Sequence, residues 1–575
     1  MATTFDGVTL IQPQARTRFN MAALTPPAPT QPAPHKLVLV GPANQGQNAV
    51  VTVQTATDIR RAVGTSGDLA QAAVLTLDPS AVTTGAAPLS LYQVNPTTQG
   101  TIELKSPGSS GTTQISVSTT RWGTPANQIK AAVGSGTTTG YKLTVGDDAS
   151  TAAPIVQDNL ALPLVSLTVT GTTPKASVTD STLTITTGST TPTTLVSVSF
   201  SSTTTIQQVV NALNQNASVH ATVADPNPAD LAQALFDNVS GVAIGSSSPT
   251  TLSGNIVAVV RALNNGLQPW LTDAQRQANA TTLATTGAWI YATGGSTTTA
   301  TTSDWQDAYT ALEQVQDVLW VVPISPTPSI WAMNQAHCAK MHGEGYGRSG
   351  AVGGSSGTTV AVAQANAASL ASQYTAYLAN GVQIMRNGVT TTIPPYQAVA
   401  LITAVASGQP LNASVALKAL NVIGLEQTYS ASAVDTLVQA GCLVIKPHFG
   451  AFVVSKGQTT AAVNPGSTVD QTQWQAVSER FVLEYGMNQV LSRFVQQPIT
   501  KTTAARVQTA IYHYLKKQAP SANQPTPLIQ AVPKLSEIVV TITGTVITAA
   551  APASPTVVAD FVFTTLSASV DTAVA

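Results

Sequence analysis

The sequence predicts a multidomain α+β protein: an α/β body, a β-sandwich or barrel inserted into it, an α+β region toward the C-terminus, and extended β arms at both termini. Three observations carry this expectation. Short apolar runs closed by turn residues alternate with helical patterns at residues 36–94 and again from 256 onward. Between 100 and 200 the chain switches to Thr/Ser-rich, period-two alternation broken by Gly or Pro, as in an antiparallel sandwich or barrel. Prolines at 26, 27, 29, 32 and 34 hold the first segment extended and out of any helix or central strand. The expected boundaries are 1–34 for an N-terminal arm, 35–99 for the first part of the α/β body, and 100–225 for the inserted β domain. Residues 226–395 continue the α/β body, 396–535 form an inner α+β domain, and 536–575 form a C-terminal β arm.

In chain order, Val8–Gln12 has strand composition. Lys36-Leu-Val-Leu-Val, closed by Gly41-Pro42, reads as a buried strand. Helices are expected at Thr57–Val63 and Leu69–Leu77 and a strand at Leu89–Val94. The insert contributes alternating runs at Gln114–Ser118, Ser166–Thr170, Thr182–Thr186 and Leu195–Phe200. The α/β pattern resumes with a helix at Ile256–Asn264, a strand at Ala288–Ala292, a helix at Asp304–Gln316, a strand at Val318–Pro323 and helices at Ile330–His342 and Val360–Asn380. Helices follow at Ala398–Ser407 and Ser430–Ala440, then the strand pair Cys442–Lys446 and Ala451–Ser455, then helices Thr472–Phe494 and Thr502–Gln518. Strands Ile538–Thr548 and Val557–Leu566 close the chain after a Pro-rich linker.

Composition narrows the function classes. Of 575 residues, 25 are Lys or Arg and 26 Asp or Glu, a net charge of −1, so long-range steering toward nucleic acid or an anionic membrane is not expected. Charged residues make up 9% of the chain against roughly a quarter in ordinary soluble domains, and a surface this poor in charge is usually one that becomes covered. No apolar run approaches the ~18–20 residues of a membrane span, so no membrane insertion is expected. Two cysteines, Cys338 and Cys442, exclude a disulfide framework, and the opening residues lack a signal-peptide pattern, so synthesis in a reducing cytoplasm is expected.

The catalytic patterns in the chain are each incomplete. Gly353-Gly-Ser355-Ser-Gly357 fits G-x-S-x-G, which in hydrolases places a serine on a turn between a strand and a helix. The glycine-rich residues before it, 343–352, read as a loop, so Ser355 is expected in a loop without partners. His337, His342, His448 and Asp304 form a triad only on paper. Cys338 and His342 share a helical face, but no third or fourth ligand follows at metal-site spacing. Asp147-Asp148 reads as a solvated loop. No phosphate-binding or dinucleotide glycine motif is present, nor a basic run interleaved with aromatics, so no cofactor, no metal, no specific nucleic acid and no enzymatic activity are expected. One charge feature stands out: Tyr485–Ser536 holds Arg493, Lys501, Arg506, Lys516, Lys517 and Lys534 and no acid.

The order of parts resembles the sheath proteins of contractile tails, found in bacteriophages and related bacterial injection particles. The resemblance rests on Leu37-Val-Leu-Val-Gly41-Pro-Ala-Asn-Gln-Gly46 with Val53-Gln-Thr-Ala-Thr-Asp58, and on Arg121-Trp-Gly123-Thr-Pro-Ala-Asn127 at the insert. It rests also on Ile393-Pro-Pro395-Tyr-Gln-Ala398, on Leu437-Val-Gln-Ala-Gly441 with its following strand, and on Gly450-Ala-Phe-Val-Val-Ser-Lys-Gly457. It spans nearly the whole chain, and its specificity lies in the order and spacing of these motifs.

The resemblance implies a subtilisin-like fold for the central α/β domain, without proteolysis. It also implies a homo-oligomeric, six-fold helical sheath around a tail tube protein, with baseplate and tail terminator proteins as further partners. Such a sheath would be assembled in the host cytoplasm, reside in the tail of the virion or particle, and contract from a metastable extended state. The arms would add strands to neighbouring subunits, through Val8, Leu10 and Ile11, through Ile538, Val540 and Ile542, and through Val557, Phe561 and Phe563. Because the family's C-terminal region faces the tube, Lys501, Arg506, Lys516 and Lys517 are the expected tube contacts. The alternatives are the sheath of a non-phage injection system and a Thr-rich surface adhesin.

Overall fold

The structure is a computed structural model; it describes residues 36–557 except 84, 86, 87, 387 and 520–525, together with the strand segments Thr3–Phe5, Val8–Leu10 and Ala28–Pro29. The chain divides into two compact units, one of residues 1–43, 47–96 and 299–575, the other of 44–46 and 97–298.

The first unit is built on a seven-stranded sheet in the order Cys442–Leu443, Thr375–Leu378, Ser349–Gly353, Val318–Pro323, Lys36–Gly41, Leu89–Gln93, Val50–Val53. Its strands are parallel except Val50–Val53, which pairs antiparallel at one edge. Parallel sheets are covered on both faces, and the alternation within Lys36–Gly41 shows how. Leu37 and Leu39 enter one core, with helix Pro395–Ser407 and helix Trp474–Ser492, while Val38 and Val40 enter another with Trp305, Tyr309 and Ile330. Helix Pro395–Ser407 is buried on all sides, from Ala398 through Val405, as its apolar circumference requires. It packs on four central strands of the sheet. The expected inner domain 396–535 is therefore not a separate body: this helix covers the seven-stranded sheet and strand Cys442–Leu443 is its edge.

Three local expectations are corrected. The helix expected over Val360–Asn380 stops at Leu370, where Ala371 takes a left-handed φ of 40°, and Thr375–Leu378 is a fully buried central strand. The loop expected before Gly353 contains strand Ser349–Gly353, buried along its length. Its glycines are there for close packing: a Cβ at Gly350 would lie 2.3 Å from Asn334 Nδ2, and one at Gly353 would lie 2.2 Å from Pro395 O. The strand expected over Ile538–Thr548 is instead a hairpin, Val539–Thr543 with Val546–Ala550, turning at Gly544 with φ 60°.

The second unit is antiparallel β with two helices. Its strands form four sheets. One core, from Leu162 to Leu252, closes over helix Ile206–Leu213. The other, from Ile102 to Ala292, closes over helix Asn255–Asn264. The period-two runs of the sequence occupy Thr113–Trp122, Pro163–Val169, Thr182–Thr187 and Thr193–Ser199. The unit extends to Thr298, beyond the expected boundary at 225, because helix Asn255–Asn264 and strand Ile290–Tyr291 complete its core rather than the α/β sheet. Asp147 is not solvated as expected: it is buried and ion-paired with Arg121 at 2.6 Å, whereas Asp148 lies outside with Lys130 and the Tyr291 hydroxyl.

Candidate functional site

The G-x-S-x-G segment does join a strand to a helix, Ser349–Gly353 to Val360–Leu370, which is the context of a nucleophile elbow. Ser355 is exposed, and two of the turn's donors are taken by Glu426, whose Oε1 accepts from the Gly357 N–H at 3.0 Å and from the Ser356 hydroxyl.

The residues of the paper triad are dispersed. Asp304 caps its own helix, accepting from Thr301 N–H at 2.6 Å and Thr301 Oγ1 at 2.7 Å. His342 meets the Tyr374 hydroxyl at 2.9 Å and Glu484 at 2.7 Å. His337 is buried, and its Nε2 accepts from Arg348 at 2.7 Å. Burial, and then the Arg348 guanidinium, hold the His337 pKa down at about 3, so it is a neutral structural acceptor. Cys338 and Cys442 are both buried, free thiols, and burial pushes each up to about 12, so neither is a nucleophile. Among the described residues, no group of three or more His, Cys, Asp or Glu converges as metal ligands would.

Of the expected strand-exchange residues, Val8 and Leu10 lie in strand Val8–Leu10, paired with Thr3–Phe5 of the same chain. Ile11, Phe561 and Phe563 lie outside the described residues. Val540 and Ile542 are half-buried in the Val539–Thr543 hairpin strand, and Val540 packs with Ile547 and Ala549 on the main core. Among the described residues no third strand joins this hairpin, so each of its strands keeps one free edge.

The C-terminal segment is not independent of the core, contrary to its description as an arm alone. Ile538 and Ala553 are buried in the main cluster. Farther on, Gln530 N–H donates to Ser554 O at 2.8 Å, Ile529 bridges Pro555, and Thr556 donates from both its N–H, at 2.8 Å, and its hydroxyl to Glu479. Glu479 is fully buried, and desolvation raises its pKa well above the usual carboxylate range. Segment Ala28–Pro29 pairs with Pro527–Ile529, so residues from both ends of the chain meet on one short strand. Val557, just beyond, is exposed.

The basic segment forms a groove. Helix Thr503–Gln518 buries Val507, Ala510, Ile511 and Leu515 and leaves Arg506, Lys516 and Lys517 outside, with Lys501 exposed just ahead of it. Between this helix and the end of Trp474–Ser492 lies an open groove of about 930 Å³ lined by Arg493, Phe494, Arg506, His513, Tyr514 and Lys517. The Arg493 and Arg506 guanidinium groups sit 5.1 and 5.9 Å from the Phe494 ring centre. Lys501 and Lys516 do not line it; the sequence reading missed Phe494 and His513, for which helical spacing from Arg506 and the adjacent Arg493-Phe494 pair were the available signals.

No protein-family model matches this sequence, and no curated protein matches it. Among solved structures, the chain is similar to a sheath tail protein of Desulfitobacterium hafniense, with a TM-score of 0.56 and 12% identity over 94% of this chain and 96% of that one. It is similar also to a sheath tail protein of Listeria innocua, with a TM-score of 0.56 and 11% identity over 92% of this chain and 93% of that one. The chain thus has the multidomain α+β fold of the sheath tail proteins, in agreement with the resemblance that the sequence motifs carry.

Proposed function

We propose that this protein is a tail sheath subunit: it polymerises as stacked six-fold rings around a tail tube and contracts from a metastable extended state to drive the tube through a target envelope. The observation that supports this most is the likeness of fold to two sheath tail proteins over more than nine-tenths of all three chains, a span long enough to take in both the α/β body and the insert. The parallel, helix-covered sheet suits the subtilisin-like central domain implied by the resemblance, and the occupied turn around Ser355 suits a body without proteolysis. The free edges of the Val539–Ala550 hairpin suit strand addition between neighbours, since unpaired edges otherwise invite aggregation.

The basic groove is the proposed tube-facing surface. Exposed ion pairs give only ~0–1 kcal/mol each, but six-fold repetition makes several weak contacts act together while still letting the sheath leave the tube. Tube, baseplate and terminator proteins are the proposed partners, and a tail particle assembled in the host cytoplasm is the proposed location. Negative-stain electron microscopy of purified protein tests the proposal: rings or tubes are expected, and discrete particles at every concentration would overturn it.

A further inference from the structure

The turn joining strands Ile445–His448 and Ala451–Val454 consists of Phe449 and Gly450, with φ of 46° and 83°, and His448 is paired to Ala451 across it. A two-residue hairpin turn with both φ positive favours Asn, Asp or Gly at its first position, because a larger side chain crowds the backbone there. Here the position holds a phenylalanine that is 98% exposed, its ring lying 4.3 Å from that of His448. At the base of the same hairpin, Leu417 repeats the anomaly. Its φ is 59°, it is 58% exposed, and its N–H donates to Val454 O at 3.0 Å.

Two bulky apolar residues thus adopt left-handed conformations that deliver them to solvent, where asparagine or glycine would suit the fold better. A bulky left-handed residue at the hairpin tip, with a second on the segment beside its base, points to a contact supplied from outside the chain. Backbone pairing is not that contact. Ile445 turns its N–H and C=O away from the partner strand to Asn380, so Pro447, two residues on, faces the same edge and offers it no donor. What is offered is a knob, and an aromatic knob seated in a pocket is the usual anchor of an interface.

Charge decides the occupant. Residues 409–425 and 441–457, which build this hairpin and its neighbour, contain Lys418, Lys446 and Lys456 and no acid of their own; Asp78, which accepts from Asn421 at 2.7 Å, is a carboxylate brought to them, and the surface stays net basic. Two such patches repel, so a two-fold contact of the hairpin with itself is disfavoured. The opposite sign lies elsewhere on the same unit: residues 302–317, helix Thr302–Glu313 and its following turn, contain Asp304, Asp307, Glu313 and Asp317 and no base. Glu313 and Asp317 are paired with Lys340 and Lys36, which leaves the helix face around Asp307 acidic.

We propose that the Phe449–Leu417 knob docks on the acidic 302–317 face of a second copy of this chain. The contact is heterologous, so it repeats from copy to copy and closes a ring or extends a helix. The inference rests on the reading of the protein as a homopolymer.

The test uses the full-length chain. Phe449→Asn should melt at the same temperature as the wild type or higher, because asparagine suits the turn, while the concentration needed for polymer formation rises at least tenfold. A benzophenone amino acid at position 449 should cross-link to peptides from residues 302–317 of a second copy. Polymerisation of Phe449→Asn at the wild-type concentration, a lowered melting temperature in that variant, or cross-links to another surface or to a different protein would each overturn the proposal while leaving the sheath reading standing. A wild-type chain that never polymerises would overturn both.

Discussion

Removal of the Thr556 hydroxyl tests how the C-terminal segment is held. The Glu479 carboxyl is fully buried and, among the described residues, takes two hydrogen bonds, both from Thr556. Thr556→Val keeps the side-chain shape and the N–H but deletes one donor, leaving a buried carboxyl oxygen without a partner. A loss of this kind costs ~1–3 kcal/mol. Replacing Glu479 by Leu as well removes the group that needed the donor, so in that background Thr556→Val should cost close to nothing. The difference between the two costs is a coupling energy of ~1–3 kcal/mol, well above the ~0.3–0.5 kcal/mol scatter of independent sites.

Urea unfolding of the four proteins measures the cycle, and limited proteolysis reports the segment itself: cleavage after residue 550 should be faster in Thr556→Val. The carboxyl also carries a pH signature. Its folded pKa is raised, so its contribution is fully present below the ordinary carboxylate range and is lost as pH rises toward the folded value. The signature should vanish in Glu479→Leu. Additive costs for the two substitutions, or proteolysis indifferent to Thr556→Val, would refute the assignment of this contact as the anchor.

His337 works in the opposite sense. The unfolded chain binds a proton near pH 6.5 and the folded chain only near pH 3, so stability is full above pH 6.5 and falls as pH drops, by ~2 kcal/mol at pH 5; His337→Gln, still able to accept from Arg348, should flatten that slope in pH-dependent unfolding. Arg493, Arg506 and Lys517 reversed together to Glu should leave the circular dichroism of the monomer unchanged and abolish assembly around a tube. Normal extended sheaths at low and high salt would refute the tube-facing groove. Ser355→Ala should change stability by less than ~0.5 kcal/mol and leave assembly intact, and a serine-reactive probe should not label the wild type at this position.

Much of the architecture was written locally. Period-two runs such as Thr182–Thr187 and the apolar block Lys36–Gly41 became strands, and the spaced apolar residues of Thr503–Gln518 became one buried helical face, because side-chain direction follows backbone period directly. The segment Tyr485–Ser536 was legible as acid-free, and charge needs no fold to be counted. That it shapes a groove around Phe494 depends on how two helices meet.

Tertiary packing decided the rest. Ser349–Gly353 has the composition of a loop and is a central strand, because Asn334 and the Pro395 backbone approach closer than a Cβ allows. Thr375–Leu378 continued a helical pattern and became a strand once Ala371 ended the helix and the sheet offered an edge. The limit of the inserted unit at Thr298, the strand–turn–helix context of Ser355 and the burial of Glu479 beneath Thr556 all depend on residues far apart in the chain coming together. Local composition specifies a backbone period and a charge; which short segments share a core is set by long-range burial, where a few close contacts outweigh local preference.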